Sequence, residues 1–321
     1  MGHSVGFLKL VKLLNSANDL SLKKEVIKTA LDVSDAELQG LSEKLASLGI
    51  KLSDDGDSLA LTGKVDLLDD SSIFKRVSGA GRIEILESVD STNTYMLKNA
   101  RFLASGDTVI AECQEAGRGR RGGRWHSTFG KQLTMSLCYI FDDFTKLEGL
   151  SVGIGVAVAQ AVERFGFEDI LLKWPNDIYK DHKKFGGILI ETVPHKNKIK
   201  AIIGVGLNVY ADEFNNIDKE YTSIFETQPE GFKRNDLAVQ LINNIKKVCH
   251  EFNADNKKMI IESFKARDEL LGRNIRVENE QGTFEGRAAG IDPHGSLLLA
   301  SEDNVISIRS GHITYLLDFL T

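Results

Sequence analysis

Cysteine is scarce in this chain. There are three in 321 residues (Cys113, Cys138 and Cys249), an odd number with no two-residue spacing. That excludes a disulfide scaffold and a cysteine zinc site, and it fits a reducing compartment with all three as small buried hydrophobes. Surplus positive charge is missing too. Forty Lys and Arg against 46 Asp and Glu leave a net charge of -6. Such a balance argues against a protein whose whole surface binds nucleic acid. No apolar run is long enough to span a bilayer; the longest, LSVGIGVAVAQAV at 150–162, passes straight into Glu163 and Arg164. Lys9 and Lys12 interrupt the first apolar stretch, so no secretory leader is expected and a cytoplasmic protein is. Familiar catalytic signatures are absent as well: no GxSxG elbow, no HExxH, no Walker GK[ST] and no candidate Cys–His pair. The seven histidines show no ligand spacing. Electrostatic positioning is therefore expected, rather than covalent catalysis.

What is present has the length for two or three domains and a sizeable core, with 42% hydrophobic and 27% charged residues. Residues 1–65 read as three helices and a hairpin: VGFLKLVKLLNS, SLKKEVIKTAL, SDAELQGLSEKLASLG and IKLSDDGDSLALTG. Ser34 and Glu37 form a capping-box pattern, and Gly49 closes the third helix. Three helices and a β-hairpin predict a winged helix-turn-helix. Residues 66–268 mix strands (RIEILES, DTVIAECQ, QLTMSLCYI, DILLKW, KFGGILIE, KIKAIIGVGLNV) with helices over 92–101, 150–166, 234–255 and 258–268. Adjacent strands without intervening helices predict an α+β fold with a largely antiparallel or mixed sheet. The run LTMSLCYIF alternates as a half-buried strand does. Residues 269–321 read as short strands separated by turns, which a small SH3-like barrel would close.

The densest local signal is GRGRRGGR at 117–124, followed by Trp125. Glycine lets backbone approach a ligand closely, and arginine supplies fixed cationic forks for phosphate or carboxylate. Gly117, Gly119 and Gly122 spell GxGxxG, but no helix follows, so a dinucleotide fold is rejected. A loop that orders around a small anionic ligand is preferred over an RGG-type nucleic-acid segment. Four further constellations join it. KWPND places Lys173, Asn176 and Asp177 at a strand end, a cation, an amide and a carboxylate suited to phosphate, magnesium and an incoming amine. KKFGGILIE sets Lys183 and Lys184 before Gly186 and Gly187. ESVDSTNTY gathers Asp90, Ser91, Thr92 and Asn93 at a helix start, a pocket for a compact polar ligand. GVGLN offers Gly204 and Gly206 as a surface for a flat ligand, with Asn208 at its end.

In order and spacing, STN, ExQxAGRGRRGxxW, KWPND, KKxxGILIE and GxGxN closely resemble the biotin protein ligase family. The resemblance covers essentially the whole chain, in the bacterial form with an N-terminal winged helix (the biotin operon repressor family). It is strongest from 87 to 208. It implies a catalytic domain like those of class II synthetases and lipoate ligases. The implied reaction joins biotin to ATP with Mg²⁺, giving biotinyl-5'-AMP, which a lysine of a biotin carboxyl carrier protein of acetyl-CoA carboxylase then attacks. Ser91, Thr92, Asn93 and Gln114 match biotin-binding positions. Arg118, Arg120 and Arg121 match the loop closing over biotin and phosphates, with Gly117, Gly119 and Trp125 in it. Lys184 matches the lysine held to the biotin carboxylate and α-phosphate. Gly186, Gly204 and Gly206 line the pocket, and Asn176 and Asp177 match positions near the metal and the acceptor lysine. The aromatic against adenine is Tyr221 or Phe225, in the loop YADEFNNIDKEYTSIF. A homodimer is compatible with the family. A lipoate ligase would lack GRGRRG with KWPND, and the related octanoyltransferase uses a catalytic cysteine; a catalytically silent sensor would not retain Lys184, Arg118 and Asn176–Asp177 together.

One departure concerns DNA. Over residues 34–64 six acids (Asp35, Glu37, Glu43, Asp54, Asp55, Asp57) face three lysines (Lys44, Lys51, Lys64). Phosphates would be repelled by that surface, so operator binding is expected to be lost or weak. The alternative is a bifunctional ligase and repressor.

Overall fold

The computed structural model describes residues 6–211, 221–301 and 304–316. Its N-terminal part runs α1 (Phe7–Ser16), β1 (Ser21–Lys23), α2 (Lys24–Leu31), α3 (Asp35–Ser47), β2 (Leu52–Asp54) and β3 (Ser58–Leu61). The capping box of α3 forms in full, with Glu37 N–H donating to Ser34 Oγ and Ser34 N–H to Glu37 Oε2. Gly49 follows the helix at φ +85°, and bonds from Gly49 to Ala46 and from Ile50 to Leu45 satisfy its last carbonyls. One expectation is corrected. Ser21–Lys23 is a strand and not the start of the second helix. It pairs antiparallel with Ser58–Ala60, because β3 presents an open edge whose backbone groups need partners.

The N-terminal part shares its core with the middle of the chain. Leu10, Leu14, Ile27, Leu38 and Leu45 pack with Cys113 and Phe129. The Phe7 ring meets Phe129 edge-on at 5.3 Å. Lys44 pairs with Glu115 at 2.9 Å, and the Phe129 amide donates to Leu48. The arginine-rich segment is thus anchored on the N-terminal part at both its ends.

The middle of the chain contains α4 (Asp70–Phe74), β4 (Ile83–Leu86), α5 (Thr92–Lys98), β5 (Thr108–Ala111), β6 (Gly117–Arg118), β7 (Arg124–Trp125) and β8 (Gln132–Phe141). It continues with α6 (Leu150–Glu163), β9 (Leu171–Lys173), β10 (Asp177–Lys180), β11 (Lys183–His195), β12 (Lys198–Asn208), α7 (Arg234–Asn253) and α8 (Lys258–Lys265). Seven strands form one mixed sheet in the order β4-β5-β8-β12-β11-β10-β9, with only β4 and β5 parallel. α6 and α7 cover one face, where Leu133, Met135 and Leu137 of β8 join the main core. On the other face α5 packs Met96 against Val109, Cys138 and Ile202. The alternation in β8 therefore does not mean a solvated face. Thr134 and Ser136 are buried, because α5 and the walls of a cleft cover them. All three thiols are buried; desolvation pushes Cys113 and Cys138 up to about 11 and raises Cys249 as well, as for inert core cysteines.

A buried arginine ties the segment after β3 to this sheet. Arg234 is fully buried and donates to the Asp66 carbonyl, the Gln132 carbonyl and Glu112 Oε2 (2.6 Å), while Glu112 Oε1 accepts from the Leu68 amide. The last part is all β: β13 (Asn274–Asn279), β14 (Gly282–Ile291), β15 (Leu297–Ala300), β16 (Val305–Ile308) and β17 (His312–Tyr315), an antiparallel sheet in the order β16-β15-β14-β13-β17.

Candidate active site

Strand register builds the floor of the cleft. Lys173, Asp177, Gly187, Gly206 and Thr134 lie side by side across β9, β10, β11, β12 and β8. Directly paired residues share a face, and so do residues two apart on one strand. The next row on that face is Leu189, Gly204 and Ser136. Three glycines and two small hydroxyls leave a shallow floor, and larger groups stand around it.

Close approach explains two of the glycines. A Cβ on Gly206 would sit 2.6 Å from the Trp125 ring, and one on Gly204 would sit 2.4 Å from Asn93 Oδ1. The Trp125 ring therefore packs against the floor. Its Nε1 is buried with no hydrogen-bond partner among the described residues, an unsatisfied donor in the cleft lining.

At one end the start of α5 supplies a polar pocket. Gln114 Oε1 accepts from the Thr92 amide at 2.8 Å, and Ser136 Oγ bonds both Thr92 Oγ1 and Asn93 Oδ1. Ser91, Thr92 and Asn93 are all buried there. Asn93 Nδ2 also donates to Glu191 Oε2, whose other oxygen meets Arg118 at 2.5 Å. Arg118 donates in addition to Thr94 Oγ1.

Toward the other end stand the cations. Lys184 Nζ meets Asp177 Oδ1 at 2.7 Å. Arg120 donates to Asn176 Oδ1 at 3.0 Å, while Asn176 Nδ2 holds the Ile188 carbonyl. Burial, and then the neighbouring Arg121, lower the Arg120 guanidinium from its ordinary value, and Asp177 opposes them. A short 3-10 turn, Arg120–Gly122, with Arg121 at φ +52°, shapes the loop between β6 and β7. Among the described residues no three His, Cys, Asp or Glu converge as a metal cage, and Asp177 is the only carboxylate lining the cleft.

The structure brings together Ser91, Thr92, Asn93, Gln114, Arg118, Gly119, Arg120, Trp125, Asn176, Asp177, Lys184, Gly187, Gly204 and Gly206. Five expectations are placed differently. Gly186 turns to the opposite face, against Leu207 and Ile178, because neighbours on a strand alternate; Gly187 takes the cleft position. Arg121 donates to the Glu278 carbonyl of β13 and stands outside the cleft. Gly117 lies at the loop's outer side, its Cβ position blocked by the Trp125 carbonyl. Asn208 is buried away from the cleft, donating to the Thr222 carbonyl. Lys173 shares the floor's face but stands beyond the cleft, under the Tyr315 ring. Of the two aromatics, Phe225 is packed among Phe167, Tyr210 and Phe232, whereas Tyr221 is exposed beside Lys184, whose carbonyl accepts from Thr222. Residues 212–220 of that loop lie outside the described residues. Sequence reasoning missed Thr134, Ser136, Leu189 and Glu191; Thr134 and Ser136 pair across the sheet with Gly206 and Gly204, and Leu189 and Glu191 follow Gly187 at two-residue steps along β11.

A polar pocket, a glycine floor and a ring of cations define a class that holds a small acid beside a polyphosphate. Residues 85–208 match the Biotin/lipoate A/B protein ligase family, and residues 270–314 match the biotin protein ligase C terminal domain. The chain is 30% identical over 312 residues to the bifunctional ligase/repressor BirA of Escherichia coli, covering 96% of each chain. It is 30% identical over 262 residues to the biotin--[acetyl-CoA-carboxylase] ligase of Mycobacterium tuberculosis, covering 78% of this chain and 96% of that one. Among solved structures it is similar to the biotin protein ligase from Aquifex aeolicus in complex with biotin and ATP, with a TM-score of 0.64 and 27% identity over 72% of this chain and 97% of that one. The chain belongs to the biotin protein ligase family.

Proposed function

We propose that this chain activates biotin with ATP, giving biotinyl-5'-AMP and pyrophosphate, and then transfers biotin to a lysine of the biotin carboxyl carrier protein of acetyl-CoA carboxylase. The observation that carries this reading is the Lys184–Asp177 pair at 2.7 Å, set beside a glycine floor that ends in a polar pocket. In this reading Ser91, Thr92, Asn93 and Gln114 bind the ureido ring. The valeryl chain lies along Gly204 and Gly206 beside Trp125. Lys184 then stands at the carboxylate and the α-phosphate, where negative charge gathers as the carboxylate oxygen attacks phosphorus and pyrophosphate leaves. Arg118 and Arg120 add charge from the loop, which keeps water from the anhydride. Tyr221, exposed beside Lys184, is the aromatic offered to adenine. Asn176 and Asp177 would meet a magnesium ion held mainly by the triphosphate, since a single carboxylate suits that mode better than an all-protein cage. The ion, when bound, offsets phosphate charge.

The reading also divides the chain into a winged helix-turn-helix (1–65), a catalytic domain (66–268) and an SH3-like domain (269–321). In the first, the lysines of α2 and of the residue before it are already paired: Lys24 with Asp54 at 2.7 Å, Lys28 with Asp35 and Glu25 at 2.7 Å each, Lys23 with Asp57 at 3.6 Å. The winged helix is therefore retained without operator binding. A gel shift with the promoter of the biotin genes, at low salt with biotinyl-5'-AMP, tests this; a tight, salt-sensitive complex overturns it.

The ligase is tested by mixing the protein with biotin, Mg-ATP and a carrier domain and blotting with streptavidin. One labelled carrier lysine is expected, and indiscriminate labelling by Arg118→Gly, whose loop would let the adenylate escape. No labelling, with lipoate accepted instead, moves the chain to the lipoate ligases.

A further inference from the structure

Lys173 ends the floor row. Four strand spacings separate it from Thr134, about 19 Å at 4.8 Å per strand. The polar pocket lies at the other end, and Lys184 and Asp177 stand between. A ligand stretched along the row with its carboxylate at Lys184 therefore directs the outer phosphates of ATP toward Lys173.

The ammonium of Lys173 does not meet the floor alone. It stands 4.1 Å from the centroid of the Tyr315 ring, on the last described strand of the C-terminal sheet, and 5.6 Å from that of Tyr179. Tyr315 is itself held. Its hydroxyl lies 3.4 Å from Glu269 Oε1, a carboxylate whose side chain is 2% exposed. Glu269 also meets Arg273 at 2.8 Å and His182 Nδ1 at 3.0 Å. The Arg273 guanidinium lies 5.3 Å from the Tyr315 ring, farther than Lys173. Burial and the Glu269 charge raise the Tyr315 hydroxyl above its ordinary value, so the ring stays a neutral π face at working pH.

We propose that Tyr315 is a positioning residue for ATP: its ring, fastened through Glu269, holds the Lys173 ammonium at the end of the floor row, where it receives the pyrophosphate-forming end of the nucleotide. A long lysine stem loses much rotamer freedom when it binds an anion, and a ring that already fixes the ammonium lowers that cost. This rests on the ligase reading and deepens it. The C-terminal sheet thereby supplies a side chain that acts on substrate affinity through another residue.

The test compares Tyr315→Leu, Tyr315→Phe and Lys173→Ala in the full chain, measuring adenylation kinetics with ATP and, separately, biotin binding by calorimetry. Cation–π attraction predicts a roughly three- to thirtyfold rise in KM for ATP in Tyr315→Leu, with kcat and biotin affinity within twofold of the parent. Tyr315→Phe keeps the ring but loses its tie to Glu269, so its KM should fall between those of the parent and Tyr315→Leu. Lys173→Ala should raise KM at least as much, and adding Tyr315→Leu to it should change nothing further. A Tyr315→Leu variant that loses biotin affinity as much as ATP affinity is reporting on folding and overturns the proposal, as does a Tyr315→Phe as weak as Tyr315→Leu. If Lys173→Ala raises KM and Tyr315→Leu does not, the positioning role fails and the role of Lys173 stands. If Lys173→Ala leaves KM unchanged, the phosphate role of Lys173 fails, and the proposal with it. If none of the proteins makes adenylate, the ligase reading itself fails.

Discussion

Lys184 and Lys28 each meet a carboxylate at 2.7 Å, yet their surroundings differ in every other respect. Lys28 projects from α2 between Glu25 and Asp35, both more than four-fifths exposed. Those acids, Asp35 first, raise its pKa from the ordinary lysine value. Lys184 and Asp177 are about three-quarters covered, beside a floor of glycines and small hydroxyls and near the arginines of a loop. The comparison separates an ion pair from a site. In the N-terminal part, charge is cancelled by its nearest neighbour. In the cleft Lys184 meets Asp177 and Arg118 meets Glu191, while Arg120 bonds only the neutral Asn176 side chain, so one positive charge is left in excess for a ligand.

The sharpest way to press that difference is the same substitution at both lysines. Lys184→Met should lower the rate of pyrophosphate release on the order of a hundred- to a thousandfold, the usual cost of one preorganised charge at a developing anion. Lys28→Met should leave that rate unchanged. Equal rates in the two variants would remove Lys184 from the chemistry.

A third disposition of charge lies between them. Asp268 is half-buried, its buried Oδ2 has no partner among the described residues, and desolvation pushes its carboxyl up to about 6. With the folded pKa above the unfolded one, the folded state holds the proton longer. Stability therefore falls as pH rises from about 4 to about 6, and stays reduced above. Asp268→Asn removes the charge while its Oδ1 still accepts from the Leu270 amide. It should gain on the order of 3 kcal/mol over the parent at pH 8 and nothing at pH 4, read by denaturant unfolding at both pH values. A gain that does not depend on pH would mean that packing, and not ionisation, is responsible.

Glycine sharpens the contrast with the opposite sign at the two places. Gly206→Ala sets a methyl 2.6 Å from the Trp125 ring and should raise the KM for biotin about tenfold, with ATP less affected. Gly40 lies in the exposed interior of α3 with nothing within 4 Å of its Cβ position. There Gly40→Ala should stabilise by about 0.5–1 kcal/mol and leave ligation alone.

Legibility in the sequence divides along the same line. GRGRRGGR and KWPND were legible because packing gives no reason for such density of glycine and cation. The capping box of α3 was legible because its partners are three residues apart. Thr134 and Ser136 were not, since a period of two names a face without saying whether water, a helix or a ligand covers it. Gly186 and Gly187 differ only by register parity, which the strand partners set. Arg121 and Lys173 were assigned by local motif, but their contacts come from Glu278 and Tyr315, more than a hundred residues away.

The smallest expected effect tests the other half of the comparison. If the N-terminal acids are what keep DNA away, neutralising them should release the lysines they hold. Asp54 and Asp57 pair with Lys24 and Lys23, and Asp54 and Asp55 also accept backbone bonds that shape the turn between β2 and β3, from Gly56 and from Asp57 and Ser58. Asparagine keeps the accepting oxygen and removes the charge, so the triple change Asp54→Asn, Asp55→Asn and Asp57→Asn preserves the turn. The freed lysines number only two, so the gain should be a weak, sequence-independent shift of duplex DNA at about 50 mM salt that disappears by about 200 mM. Streptavidin labelling of the carrier should be unchanged, because none of the three touches the cleft. A triple variant that binds DNA no better than its parent would show that α3, with Asp35, Glu37 and Glu43 on its exposed side, is sufficient by itself to repel phosphate. A variant that also loses ligation would show that the turn carries more of the N-terminal part's packing on Phe129 than its exposure suggests.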